Sequence, residues 1–129
     1  PHTPLTHTGE IILSGDVAIG ILANKPKTTQ SFVGGKITGT KDTLTGIYVK
    51  ESEALTNVKD FTISLGTHAK GLVFDKGKDF TVNTTSANNK ITIGDTLDKT
   101  KRGIGIAAIE TGGPIEKTDV LVGTDSLGL

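Results

Sequence analysis

Short runs of aliphatic residues, some of them alternating with polar ones, recur along this chain. They read Ile11-Ile12-Leu13, Lys36-Ile37-Thr38, Thr62-Ile63-Ser64-Leu65, Ile91-Thr92-Ile93 and Val120-Leu121-Val122. Period-two alternation is the signature of a strand with one buried face. Taking Ile11, Ile37, Ile63, Ile91 and Val120 as equivalent gives successive steps of 26, 26, 28 and 29 along the chain. A second set of runs follows a glycine: Gly20-Ile21-Leu22-Ala23, Gly46-Ile47-Tyr48-Val49, Gly71-Leu72-Val73-Phe74 and Gly103-Ile104-Gly105-Ile106, beginning again at Gly128-Leu129. Because alternate strand residues share a face, Ile21, Ile47 and Leu72, joined by Ile104 or Ile106, are expected on one side with Ala23, Val49 and Phe74. Leu22, Tyr48 and Val73 then face outward.

A further glycine precedes each of these runs, at Gly15, Gly39, Gly66, Gly94 and Gly123. The first two strands need a one-residue slip to meet that frame. Gly20, Gly46 and Gly71 are evenly spaced to within one position, and the step on to Gly103 is markedly longer. The longer step is assigned to the polar stretch 83–89, read as a loop.

Repetition at this period marks a coiled array of rungs, each burying its apolar side only against its neighbours. The expected fold is all-β: a right-handed parallel β-helix, or solenoid, with two or three short strands per turn. About four rungs of roughly 25–32 residues each are expected, within the period range of such arrays. Residues 1–9 read as a linker or the tail of a preceding segment, and 10–129 as the solenoid, stopping in a fifth rung. An antiparallel sandwich also uses short strands and Gly-rich turns, but it predicts no constant spacing of equivalent strands. Glycines are expected where the chain turns with positive φ or where rungs approach closely.

Composition fits columns of aliphatic side chains. Among 129 residues there are four Phe, one Tyr and no Trp or Met, against seventeen Gly. Fourteen basic and fourteen acidic residues cancel. Lys99, Lys101 and Arg102 form the one basic cluster, too small a positive field for a nucleic-acid partner. No apolar run is long enough for direct membrane insertion in this segment. Without cysteine there is neither a disulfide framework nor thiolate chemistry. The opening Pro1-His2-Thr3-Pro4, with no initiator Met, reads as a fragment or processed product.

The unit Gly-Ile-x-Ala/Val followed by a polar turn and a Lys-Ile-Thr-Ile-Gly type strand resembles the rungs of autotransporter passenger domains. The resemblance spans residues 10–129 and is shared with phage tail fibres and filamentous haemagglutinin-like proteins. It implies an extracellular or cell-surface, non-enzymatic segment acting as an adhesin stalk or host-binding passenger, with a cytotoxin passenger as the nearest variant. The implied partner is a host-cell receptor or glycan. The residues leave open a different class, a head-to-tail filament subunit whose open rung edges pair with other copies. Binding is expected in corner loops, with Lys27, Thr28, Gln30, Lys50, Glu51, Glu53, Asn83, Asn88 and Asn89 as candidates.

Catalytic, cofactor and metal sites are not expected. Asp95, Asp98 and Arg102, with Asp75 and Asp79 in neighbouring turns, are the nearest thing to the carboxylate ladders of polysaccharide-cleaving solenoids, and they read as a solvated charged loop. His2 and His7 lie five apart in the Pro/Thr-rich opening. His68, between Gly66 and Gly71, reads as an exposed turn histidine without a partner. Asp16, Asp95 and Asp125 recur near a glycine and are expected to satisfy turn N–H groups rather than hold a cation.

Overall fold

The computed structural model describes residues 9–83 and 89–129. Twelve strands follow in chain order: β1 (Glu10–Leu13), β2 (Ile19–Asn24), β3 (Gln30–Val33), β4 (Lys36–Gly39), β5 (Thr45–Ser52), β6 (Thr56–Lys59), β7 (Thr62–Ser64), β8 (Lys70–Gly77), β9 (Phe80–Asn83), β10 (Asn89–Ile93), β11 (Ile104–Ile109) and β12 (Thr118–Val122). Every pairing between them is parallel and joins a strand to its counterpart one turn on. Three sheets result, in the orders β1-β4-β7-β10-β12, β2-β5-β8-β11 and β3-β6-β9. The chain is therefore a β-solenoid of about four turns, three strands to the turn.

Register follows the aliphatic repeat. Ile11, Ile37, Ile63, Ile91 and Val120 pair in succession along the first sheet. In the second sheet Ile21, Ile47, Leu72 and Ile106 form a column, beside Ala23, Val49, Phe74 and Ala108. Ile37, Ile63 and Ile91 are 3%, 1% and 0% exposed, so the column is closed where it has a rung on both sides. Each such side chain contributes about 1.5–3 kcal/mol by leaving water. The third sheet adds Phe32, Val58 and Val82, all buried. Phe74 stacks on Phe80, their centroids 4.0 Å apart.

The glycines that open the second-sheet runs do not turn corners. Gly20, Gly46 and Gly71 lie inside strands with no positive φ, in register with Gly105. A Cβ on Gly46 would lie 2.5 Å from the Gly71 carbonyl oxygen and 3.2 Å from the Ile63 side chain. Gly20 meets Gly46 and Ile37 in the same way, and Gly71 meets Gly105 and Ile91. Each glycine is thus the hole into which an aliphatic side chain of the next turn fits. The equivalent in the fourth turn is Gly105, not Gly103, and Ile106, not Ile104, joins the column. The step from Gly71 is then two positions longer than the step to Gly103.

Two places absorb that excess. Nine steps separate Val82 from Ile91 where five separate Val58 from Ile63, an addition within the stretch that the sequence reads as a loop. Fifteen steps separate Ile91 from Ile106 where nine separate Ile63 from Leu72. This second addition, at 94–103, holds a 3-10 turn over Lys99–Lys101. Of the second glycine set only Gly66, Gly94 and Gly123 share a level; Gly39 pairs with Leu13, and Leu44 fills the space beside it.

Corners are turned instead by one or two residues of positive φ, mostly not glycine. Val17, Thr43, His68 and Asp125 lie between the first and second sheets, and Lys25, Glu51, Lys76 and Glu110 follow the second. Gly34 with Gly35, Asp60 and Lys117 follow the third.

Candidate functional site

Three corners run the length of the prism, and each gathers polar side chains from successive turns. The corner after the second sheet stacks the loops at 25–29, 51–55, 76–79 and 110–114. Its left-handed residues alternate in charge, with Lys25 Nζ 3.5 Å from Glu51 and Lys76 Nζ 3.9 Å from Glu110. Glu53, Ala54, Leu55, Lys78 and Asp79 line a shallow open depression of about 480 Å³ on this edge.

This corner brings together five of the nine candidate binding residues. Lys27, Lys50 and Glu53 are exposed, while Thr28 and Glu51 are half-buried. Gln30 is not in the loop: it opens β3, is 4% exposed, and its amide nitrogen donates to the Thr28 carbonyl at 3.0 Å. The inward direction of the first residue of each third-sheet strand explains this, since Gln30, Thr56 and Phe80 share one buried column.

Asn83 and Asn89 lie at the corner after the third sheet, apart from the first group. Asn83 ends β9 and is exposed, and Asn88 lies outside the described residues. Asn89 is fully buried rather than in a loop. Its amide accepts from Phe61 N at 3.1 Å, and donates to the Asn83 carbonyl at 2.7 Å and to Thr118 Oγ1 at 3.3 Å. One side chain thereby ties three turns, which is a structural use of the amide.

The third corner, between the first and second sheets, departs furthest from expectation. His68 is buried, with its side chain 8% exposed, and is fully partnered. Its Nδ1 lies 2.6 Å from Asp42 Oδ1, and its Nε2 accepts from Leu97 N at 3.0 Å and Asp98 N at 2.9 Å. Asp42 precedes His68 by one turn of the coil, so the repeat period itself was the available signal. The hydrogen bond from His68 holds the Asp42 carboxyl below the ordinary aspartate range.

The excursion at 94–103 is built on this ring. Asp98 caps the 3-10 turn, accepting from Thr100 N at 3.0 Å and Thr100 Oγ1 at 2.7 Å, which lowers its own pKa. At its base Gly103 N donates to Thr96 Oγ1 at 2.9 Å, and Ser126 Oγ lies 2.8 Å from Thr96 Oγ1 and donates to the Gly94 carbonyl. Leu97, 78% exposed, stands at the tip beside exposed Lys99 and Lys101.

Asp16 and Asp95 hold backbone, as expected, but the N–H groups belong to the next turn. Asp16 Oδ1 accepts from Asp42 N at 3.0 Å, and Asp95 Oδ1 from Thr124 N at 2.8 Å. Arg102 donates to the Asp125 carbonyl at 3.0 Å. Asp75 is separate from this group: it pairs with Ile109 at the far end of the second sheet and accepts from the Tyr48 hydroxyl at 2.7 Å, which raises the tyrosine pKa. The five residues nearest to a catalytic ladder therefore sit at opposite ends of one sheet. His2 and His7 lie outside the described residues. Among the described residues no three His, Asp or Glu side chains gather as a metal site, and no helix is long and apolar enough to cross a membrane.

No known protein family matches the chain, and neither does any curated protein or solved structure.

Proposed function

We propose that this chain is a non-enzymatic segment of an extracellular bacterial surface protein, a rigid stalk that carries host-binding loops along one corner. The observation that carries this reading is the edge after the second sheet. Four turns hold their loops there at a regular rung spacing of about 4.8 Å, and five exposed or half-exposed candidate residues line up on it. A ladder of parallel strands supports a stalk because each turn is held by backbone bonds to two neighbours, so the rod resists bending without a large core. Loops on such a scaffold vary without disturbing the columns beneath them. The autotransporter-like rung supports a secreted passenger, whether adhesin or toxin carrier.

The test is direct. Beads bearing the chain should adhere to epithelial cells or to defined glycans. Reversing Lys27 and Glu53 together should weaken that adhesion while circular dichroism stays unchanged. Beads that bind neither cells nor glycans would leave only the spacer role. The autotransporter assignment is tested by the parent reading frame, which must end in the strands of a translocating β-barrel.

Filament assembly is the second reading, and one observation favours it. The outward aliphatics concentrate on the end turns, with Ile12 and Leu22 exposed on the first and Leu121 and Ile109 on the last. Direct stacking in register, however, would set Asp119 beside Glu10 of the next copy, a like-charge pair. Sedimentation at high concentration separates the two readings, since persistent monomers exclude the filament.

A further inference from the structure

His68 has a proton inventory fixed by its neighbours. Two backbone N–H groups, of Leu97 and Asp98, donate to Nε2, so that nitrogen carries a lone pair. Nδ1, 2.6 Å from a carboxylate oxygen of Asp42, carries the ring proton. The ring is buried and spans three turns: Asp42 on the second, His68 on the third, and the excursion tip on the fourth.

We propose that His68 is an acid-released latch for the tip at 97–101. A second proton can enter the ring only at Nε2. There it would face two N–H donors 2.9 and 3.0 Å away, with no acceptor between them. The tip then has to leave the ring, while the imidazolium stays paired with Asp42. The latched state binds one proton fewer than the released state, so falling pH favours release and rising pH restores the latch.

The charged groups that face the ring are the Asp42 and Asp98 carboxylates, with Lys101 close enough to act on both. The Asp95 carbonyl accepts from His68 N at 3.1 Å, while its carboxylate is engaged by Thr124 N. Asp16 acts one step removed, through Asp42 N. Release is confined to the tip because the base is held independently, by Thr96, Ser126 and Gly103. What changes is the presentation of Leu97, Lys99 and Lys101. The latch depends on local geometry alone and stands apart from the surface-protein reading.

The experiment is a pH titration of the ¹⁵N-labelled chain by NMR, following the His68 ring nitrogens and the Leu97 and Asp98 amides together. At high pH the proton is expected on Nδ1. On acidification both amides should lose exchange protection with the same midpoint as the ring. Asp42→Asn keeps an acceptor for Nδ1 but removes the charge, and should move that midpoint to lower pH. Three results would overturn the proposal. The amides could stay protected after the ring is fully protonated. The neutral ring could carry its proton on Nε2. Protection could also fall only with the Asp98 carboxyl, which its bonds to Thr100 hold below the ordinary aspartate range.

Discussion

The two corners that flank the second sheet turn the chain by different means. After the sheet, all four turns use a left-handed L-residue, Lys25, Glu51, Lys76 and Glu110, with Gly77 also at positive φ beside Lys76. Backbone donors there find carbonyls of the neighbouring turn, as in Lys25 N to Lys50 O at 2.8 Å and Lys78 N to Ser52 O at 2.9 Å. A left-handed L-residue costs about 1–2 kcal/mol, which the unbroken ladder offsets. The four left-handed side chains are then not needed to hold backbone, and this corner uses them for charge. Before the sheet, the fourth turn adds residues at 94–103 and loses ladder partners for them. Side chains have to replace the missing backbone partners: His68, Asp98 and Thr96 accept from backbone N–H groups, and Ser126 donates to the Gly94 carbonyl. Where the backbone ladder is complete, sequence is permissive. Where it is interrupted, particular side chains become necessary.

That contrast can be broken most severely inside the ladder itself. Ile63→Ala removes a side chain with turns above and below, and is expected to cost about 2–5 kcal/mol in chemical denaturation. The same change at exposed Ile12 should cost under about 1 kcal/mol, because that side chain is 68% exposed. Gly46→Ala is next. Its Cβ would fall 2.5 Å from a backbone oxygen that cannot move without shifting the third turn. A loss of about 2–3 kcal/mol is expected, whereas Gly112→Ala, with open space around it, should lose little.

At the built corner, His68→Ala strips the acceptor from two amides and should cost about 1–3 kcal/mol. Its signature is local: Leu97 and Asp98 lose exchange protection while Ile91 and Ile106 keep theirs. If protection falls throughout the fourth turn, the excursion is coupled to the ladder and the two corners differ less. The smallest effect belongs to the permissive corner. A double-mutant cycle on Lys25 and Glu51 should give about 0.5 kcal/mol or less, vanishing at high salt. A coupling above about 1 kcal/mol, beyond the range of exposed pairs, would mean that this corner too depends on its side chains.

Much of the fold is legible in the order of residues. The column Ile11, Ile37, Ile63, Ile91, Val120 stands as the spacing predicts, because a step of one turn in a solenoid leaves equivalent residues in contact. The third sheet is harder to see. Its buried positions include Gln30 and Thr56, which break the apolar alternation, and polarity alone puts Gln30 in a loop. At the fourth turn the sequence offers two glycines two apart, and only pairing distinguishes Gly105 from Gly103. Asn89 and His68 escape sequence reasoning for a shared reason. A polar residue in a turn is exposed by default, and for these two it is partners from other turns that make burial tolerable.

The sequence alone therefore determined the repeat, its near-constant step from Ile11 to Ile37 to Ile63, and the aliphatic side chains that fill the interior. These depend on local alternation copied at a regular interval. Tertiary structure decided which glycines are holes for a neighbour's side chain, which polar residues are interior, and which corner carries the candidate binding residues. Those outcomes depend on what lies one turn away in space. Contacts of that kind exist only once the coil has closed on itself.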